Sequence, residues 1–404
     1  MERIVVTGMS MISALGLSLD ENWSNLVAGK SGVKGITLFD ARECETRIAA
    51  EIPAAFDDLW PQFIKKRSAE QMTRITKACF VCAKAAVAQS GIDFEAMDKS
   101  RCAVILGVVT TANTTSEKNT TPQNRILKSM NNAMSAWISL EYKLLGPNFT
   151  VASACASSAY AIGLGYDMIR SGAADVVIVG GADSIVNKEE IEGFNHLFAL
   201  STENERPEKA SKPFSKNRDG FVIGEGAGVL VLESATSAKL RGAQVLAEVA
   251  GYAISSEAYN IMAPMKDGEG IAHTIELALR NSGVDPNMVD YINAHGTSTT
   301  LNDKYETMAI KKVFGDRAYQ IPISSTKSML GHTIGAAGAI ELIVCIQSIL
   351  NGVLTPTINY DEPDPELDLD FVPNVARKQA VGCALSNSFA FGGHNAVLVI
   401  RKFD

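Results

Sequence analysis

Several things are missing from this 404-residue chain, and each absence narrows what it can be. No run reaches the roughly eighteen uncharged apolar residues that a membrane-crossing helix needs. The apolar start, Met1 to Leu15, lacks a basic leader region, and Glu2-Arg3 run straight into a strand-like Ile4-Val5-Val6, so no signal peptide is read. Positive charge is not in excess: 37 Lys and Arg against 45 Asp and Glu leave a net charge of −8, which argues against nucleic acid as a partner. A disulfide framework is missing too. The seven cysteines (Cys44, Cys79, Cys82, Cys102, Cys155, Cys345, Cys383) are odd in number and unpatterned, which fits a reducing compartment and a cytoplasmic protein.

Metal and nucleotide signatures are equally thin. No pair of ligand residues stands at short spacing, so no metal site is expected. Cys79-Phe80-Val81-Cys82 lies inside an amphipathic helical stretch with no strand before it, the context of core packing rather than redox chemistry. The glycines of Asp219–Gly228 are followed by a strand and by no Lys-Ser/Thr, so close packing explains them better than phosphate binding.

What is present is an ordinary globular composition, 46% hydrophobic and 20% charged, long enough for several domains or one large duplicated unit. Short apolar strands alternate with helical segments, an α/β pattern. Strands are expected at Arg3–Thr7, Cys102–Val108, Asp175–Val179 (ending at Gly180-Gly181), Val229–Leu232, Gln244–Ala253, Val289–Asn293, Ile321–Ser325, Ala384–Ser388 and Ala396–Ile400. Helices are expected at Ala69–Ser90, Asn131–Leu145, from Cys155 to about Ser171, Gly268–Gly283, Asp303–Val313 and Ile334–Leu350. Polar Val109–Lys128 reads as a loop or lid. The second half repeats the rhythm of the first.

One stretch organises the rest. In Phe149–Gly163 a β-prone approach runs into small residues, then Cys155, then a helix. A thiol at a helix N-terminus meets free N–H groups and a partial positive charge, both of which favour thiolate. Taken alone, the stretch favours an inert core cysteine, and the rest of the chain reverses that balance. Three more turns have the same form, a strand end followed by small residues and a polar group: Asn293–Thr299, Lys327–Gly338 and Ser386–Asn395. Three of the five histidines, His295, His332 and His394, fall in them, whereas His196 and His273 read as surface or satisfied core residues. A thiolate, imidazoles and the N–H groups of a glycine turn are what acyl transfer requires.

With Ser153–Ser158, Asn293–Thr299, Lys327–Gly338 and Asn387–Asn395 in this order, the chain resembles elongating β-ketoacyl-acyl carrier protein synthases along essentially its whole length. The resemblance implies a thiolase-like α/β fold, two duplicated α/β halves in a five-layer arrangement. Residues 1–242 would form the half with the nucleophilic cysteine and lid insertions, and 243–404 the half with the two catalytic histidines. It implies an acyltransferase that joins an acyl chain on Cys155 to malonyl carrier by decarboxylative Claisen condensation, without a cofactor. His295 and His332 would stabilise the enolate, and Lys327 would pair with Glu341. The N–H groups of Cys155 and Phe391 would form an oxyanion hole, with Phe391 also gating the acyl pocket. Thr297, Thr299, Glu341, Phe389, Gly392 and Gly393 would contact substrate. The implied partners are an acyl carrier protein and a second subunit, either a copy of the chain or a chain-length factor.

Three departures bear on the substrate. Thr299-Thr300-Leu301-Asn302-Asp303 replaces the family's usual Thr-Pro-x-Gly-Asp and, with Tyr305-Glu306-Thr307, is more like ketosynthases of aromatic polyketide systems. His394 stands where fatty-acid enzymes commonly have Thr. Val108–Thr111 replaces a glycine-rich loop. Polyketide and fatty-acid synthesis are thus both open, and a non-condensing chain-length factor is the alternative, though such partners lack the cysteine. A thiolase would need a second cysteine near the C-terminal glycine turn, and Ser386–Phe391 has none. The carrier is expected to dock on Lys65-Lys66-Arg67, with Arg74, Arg125 and Lys128 beside them.

Overall fold

The computed structural model describes residues 2–110 and 121–404. Ten strands form its main sheet: β1 (Ile4–Ser13), β2 (Cys102–Gly107), β3 (Asn148–Val151), β4 (Val176–Asp183), β5 (Gly226–Ser234), β6 (Ala247–Ser256), β7 (Tyr291–Asn293), β8 (Ile323–Ser324), β9 (Cys383–Ala390) and β10 (His394–Arg401). Hydrogen bonding orders them β8-β7-β9-β10-β6-β1-β5-β4-β2-β3. Outward from the β1–β6 seam the first five strands read β1-β5-β4-β2-β3, and the second five read β6-β10-β9-β7-β8. Adding five to each number converts one half-sheet into the other. Strand directions match as well: the second strand of each half pairs parallel with the third and fourth, and the remaining pairs are antiparallel. The seam is short, Ile4 to Val6 against Ala247 to Val249.

Six long helices complete the layers: α1 (Arg74–Ser90), α2 (Ala133–Tyr142), α3 (Ser157–Arg170), α4 (Glu269–Ser282), α5 (Thr300–Phe314) and α6 (Ala337–Asn351). Helices α1 and α2 cover the outer face of the first half-sheet, and α4, with α5 behind it, covers that of the second. Between the half-sheets lie α3 and α6, which together with residues from both sheets make the central hydrophobic cluster. The result is the five-layered, thiolase-like α/β arrangement. Because α6 is enclosed by sheet and by α3, it is buried almost all round and mostly apolar, with Glu341, Gln347 and Ser348 as its buried polar breaks. Residues 334–351 are the one stretch among the described residues long and apolar enough to span a membrane, and 89% of that window is buried in the core.

Local chemistry shifts several expected boundaries. β4 does not stop at Gly180-Gly181 but runs through them to Asp183. Side chains are what the site cannot hold: a Cβ on Gly180 would lie 2.1 Å from Gly228 O, and one on Gly181 2.5 Å from Gly107 O. Part of the expected lid, 111–120, lies outside the described residues, while Pro122–Ser129 is a helix rather than a loop. Thr121 caps it by accepting the Asn124 N–H, and Pro122 fits its first turn. The helix Lys188–His196 also escapes the sequence pattern.

Candidate active site

Cys155 follows β3 through a tight turn in which Ala154 takes φ +48°, a conformation that side chains resist and that marks a constrained position. Ser157 Oγ locks the turn, donating to Ala154 O (2.6 Å) and accepting the Ser153 N–H (2.9 Å). Helix α3 then starts against the end of β2, where Gly107 leaves no room for a side chain: a Cβ there would be 2.1 Å from Ser158 N. Across the central layer, Ser158 Oγ accepts the Ala339 N–H of α6 at 2.9 Å. The Cys155 turn is thus fixed from three elements.

The second half supplies the imidazoles. His295 sits just past β7, and the buried Glu306 of α5 accepts the N–H groups of His295 and Gly296, each at 2.8 Å. Asn387 of β9 donates to the same carboxylate at 3.1 Å. His332 follows β8 and a short helical turn, held by its N–H to Val222 O (2.7 Å). Its Nδ1 accepts the Ile334 N–H at 3.3 Å, which places the proton of a neutral ring on Nε2. Among the described residues that Nε2 has no protein partner, nor has His295 Nδ1. The two rings stand edge to face with centroids 5.4 Å apart. One nitrogen of each and Cys155 Sγ lie within 4.8 Å of one another. His394 is not among the residues lining the cavity and packs on Tyr160, while His196 and His273 are exposed.

Burial sets the protonation states. It drives both histidines well below the ordinary imidazole range, and the Lys327 ammonium adds to the effect, so the rings are neutral donors at pH 7. Burial likewise pushes the Cys155 thiol up to about 12, although Lys327 and the backbone N–H of Cys155 pull it down. The expected thiolate is therefore not the resting form. Burial is the largest influence on the thiol and favours its protonated form. Lys327 forms a buried ion pair with Glu341, whose carboxyl is raised by burial to about 7.

These groups face a cavity of about 600 Å³. Cys155, His295 and His332 line it, as do Thr297, Thr299, Phe389, Phe391 and Gly393. The Thr297 and Thr299 hydroxyls are 2.8 Å apart. Lys327, Glu341 and Gly392 are not part of its walls. Lys327 and Glu341 act from behind, and Gly392 (φ +81°) makes the turn that donates its N–H to Ile261 O at 2.8 Å. Two residues that the sequence reading left without a role, Glu306 and Asp183, prove to be buried carboxylates that organise main chain around the cavity. The signal for Asp183 was an acid closing a wholly buried strand.

The basic cluster needs correction. Lys65, Lys66, Arg67 and Arg125 are exposed. Arg74, however, is tied to Glu225, Asp57 and the carbonyls of Ile52 and Pro53, and Lys128 is buried. Cys79 and Cys82 are buried in the core, as their helical context suggested.

Two sequence families match the chain: "Beta-ketoacyl synthase, N-terminal domain" over residues 1–238, and "Beta-ketoacyl synthase, C-terminal domain" over residues 246–361. The 3-oxoacyl-[acyl-carrier-protein] synthase 2 of Coxiella burnetii is 41% identical, covering 100% of this chain and 99% of the relative. Among solved structures, the ishigamide ketosynthase/chain length factor is 36% identical with a TM-score of 0.90, covering 100% of both chains. A type II polyketide synthase acyl-carrier protein in complex with its ketosynthase, bound to the hexaketide, gives 32% identity and a TM-score of 0.89, again over 100% of both chains.

Proposed function

The chain belongs to the β-ketoacyl synthase family, and from that premise we propose the division of labour by which its residues carry out condensation between an acyl thioester and malonyl carrier protein. Cys155 takes the acyl group. Its thiol attacks the thioester carbonyl, a neutral imidazole within reach takes its proton and passes it to the departing sulfur, and the carrier leaves as its thiol. Malonyl carrier then loads, and its thioester oxygen lies against the N–H donors of His295 and His332. Loss of carbon dioxide leaves an enolate whose negative oxygen those donors stabilise. The enolate carbon attacks the acyl carbonyl, the oxyanion forms against the N–H groups of Cys155 and Phe391, and collapse leaves a 3-oxoacyl carrier and expels the Cys155 sulfur as a thiolate, which takes up a proton from solvent. Burial, reinforced by Lys327 from behind, keeps both imidazoles unprotonated between proton transfers. Thr297, Thr299, Phe389 and Gly393 contact the substrate, while Phe391 gates the acyl end.

The observation that carries this reading is the convergence of one thiol and two neutral imidazoles in a single cavity. Intact-mass analysis tests it. The protein gains one acyl group from acyl carrier, and Cys155→Ala, whose side chain fits beside Ala154 and Ala156, gains none and condenses nothing. Turnover by that variant near the wild-type rate would refute the assignment. A non-condensing chain-length factor is the weaker reading, because the nucleophile and both histidines are present.

We also propose that residues 1–242 and 243–404 are two copies of one unit, a reading supported by the matching strand orders. We read the protein as cytoplasmic and dimeric, with itself or with a chain-length factor. Among the described residues edge strand β3 has one side unpaired, and Leu140, Leu145 and Phe149 are exposed around it, a surface suited to a partner subunit. The pathway, fatty-acid or type II polyketide, follows from which carrier supports turnover.

A further inference from the structure

Asp183 closes β4 and has no task in the chemistry above. It is fully buried, and all four of its assigned hydrogen-bond partners are main-chain N–H groups. Oδ2 accepts from Val109 (3.2 Å) and Gly335 (3.0 Å), Oδ1 from Ser184 (3.1 Å), and Thr110 donates as well. Val109 and Thr110 leave β2, whereas Gly335 belongs to the turn after His332, so one carboxylate ties the two halves of the chain together. The approach is close: a Cβ on Gly335 would lie 2.7 Å from Asp183 Oδ2.

The tied segments are cavity wall. Val109, Thr110 and Ile334 line the cavity with Cys155, and so does Ile185, two residues beyond Asp183. Val109, Ile185, Ile334 and Cys155 also share one apolar cluster. Isolating a carboxylate in such surroundings is costly, and burial raises it to about 7 even with those donors. An apolar residue would avoid that cost but could not hold N–H groups from two segments.

We propose that Asp183 is a positioning residue: by holding Val109–Thr110 and Ile334–Gly335 in register, it sets the width of the apolar wall beside Cys155 and hence the acyl chain length the cysteine accepts. The inference rests on the ketosynthase reading. Two variants approach the same contact from opposite sides. Asp183→Asn keeps the volume but turns an NH2 towards N–H donors, and Gly335→Ala pushes the turn away from the carboxylate.

The test is Cys155 acylation by butyryl and by dodecanoyl carrier thioesters, with iodoacetamide alkylation as a measure that ignores chain length. Both variants are expected to shift the ratio of the two acylation kcat/KM values by about tenfold, as a methylene-sized change in an apolar pocket does, while alkylation stays as in the wild type. If Asp183→Asn does not fold, Gly335→Ala carries the measurement. An unchanged ratio in the folded variants overturns the proposal. So does an equal loss for both chain lengths with slowed alkylation, the mark of general disruption. A wild-type protein that takes neither acyl group would overturn the ketosynthase reading instead.

Discussion

Replacing Gly107 with alanine is expected to cripple condensation without touching any group that meets substrate. The added Cβ would stand 2.1 Å from Ser158 N and 2.2 Å from Ser157 C, where ordinary contact begins near 3.4 Å. Strand β2 and the start of α3 must therefore separate by more than an ångström, and because both sides are main chain, no rotamer relieves the clash. On its far side α3 has no slack either. Ala159 packs against Gly338, where a Cβ would come within 2.8 Å, and Ser158 Oγ is bonded to α6. The strain passes to the turn holding Cys155. Overpacking of this kind costs about 1–3 kcal/mol, and at about 2–4 °C per kcal/mol in a large domain the melting temperature falls by several degrees. A shift of about 1 Å at the nucleophile costs on the order of 10²-fold in rate. Steady-state kinetics with saturating acyl and malonyl carriers, beside a thermal melt, reads both effects, and the rate loss should fall on kcat. A variant that melts and turns over like the wild type would refute the claim that this contact fixes the nucleophile.

Substituting His295 or His332 with alanine should lower malonyl decarboxylation by about 10²-fold or more, the scale of losing an oxyanion donor, with a smaller effect on Cys155 acylation. Mass spectrometry separates the two steps, and equal losses in both would contradict the division of roles. Because burial holds Cys155 near 12, alkylation by iodoacetamide should rise about tenfold per pH unit from pH 7 to 10; a plateau near neutrality would show a preformed thiolate. Because both rings are held well below 6.5, they stay neutral in the folded protein while those of the unfolded chain take up protons. Stability from this source is complete above pH 6.5 and drains away as pH falls below it, which denaturant midpoints at pH 7.5 and 5.5 will show. Reversing the charges of exposed Lys65, Lys66 and Arg67 should raise the KM for carrier while Cys155 alkylation is unchanged, and salt-insensitive, unaltered kinetics would dismiss that dock.

The alternation of strands and helices, the turn at Cys155 and the two histidine turns were legible in the sequence because each is a local pattern of few residues. What escaped depends on distant partners. Glu306 and Asp183 look like ordinary acids on a helix and at a strand end, and only the folded chain brings them N–H groups from elsewhere. Arg74 and Lys128 were expected beside the carrier dock, but folding buries Lys128 and gives Arg74 partners of its own. The thiol's proton affinity was misjudged because the helix terminus is visible in sequence, whereas the apolar shell around Cys155 comes from segments scattered over the chain. Gly180-Gly181 read as a strand end for want of knowledge that Gly228 and Gly107 press against them.

The repeated strand order bears on how such a site can change over time. β3 and β8 occupy equivalent places in their half-sheets, and each leads through a turn into one of the two central helices. In the first the turn carries Cys155, and in the second it carries Lys327 and His332. One architectural niche thus exists twice in a single chain with different occupants, facing each other across the central layer. The two turns are not independent: Asp183 accepts the Gly335 N–H, and Ser158 Oγ, beside the Cys155 turn, accepts the Ala339 N–H, so a change in the second turn is felt at the first. A symmetric frame has in this way come to carry two different sets of side chains whose adjustment is coupled.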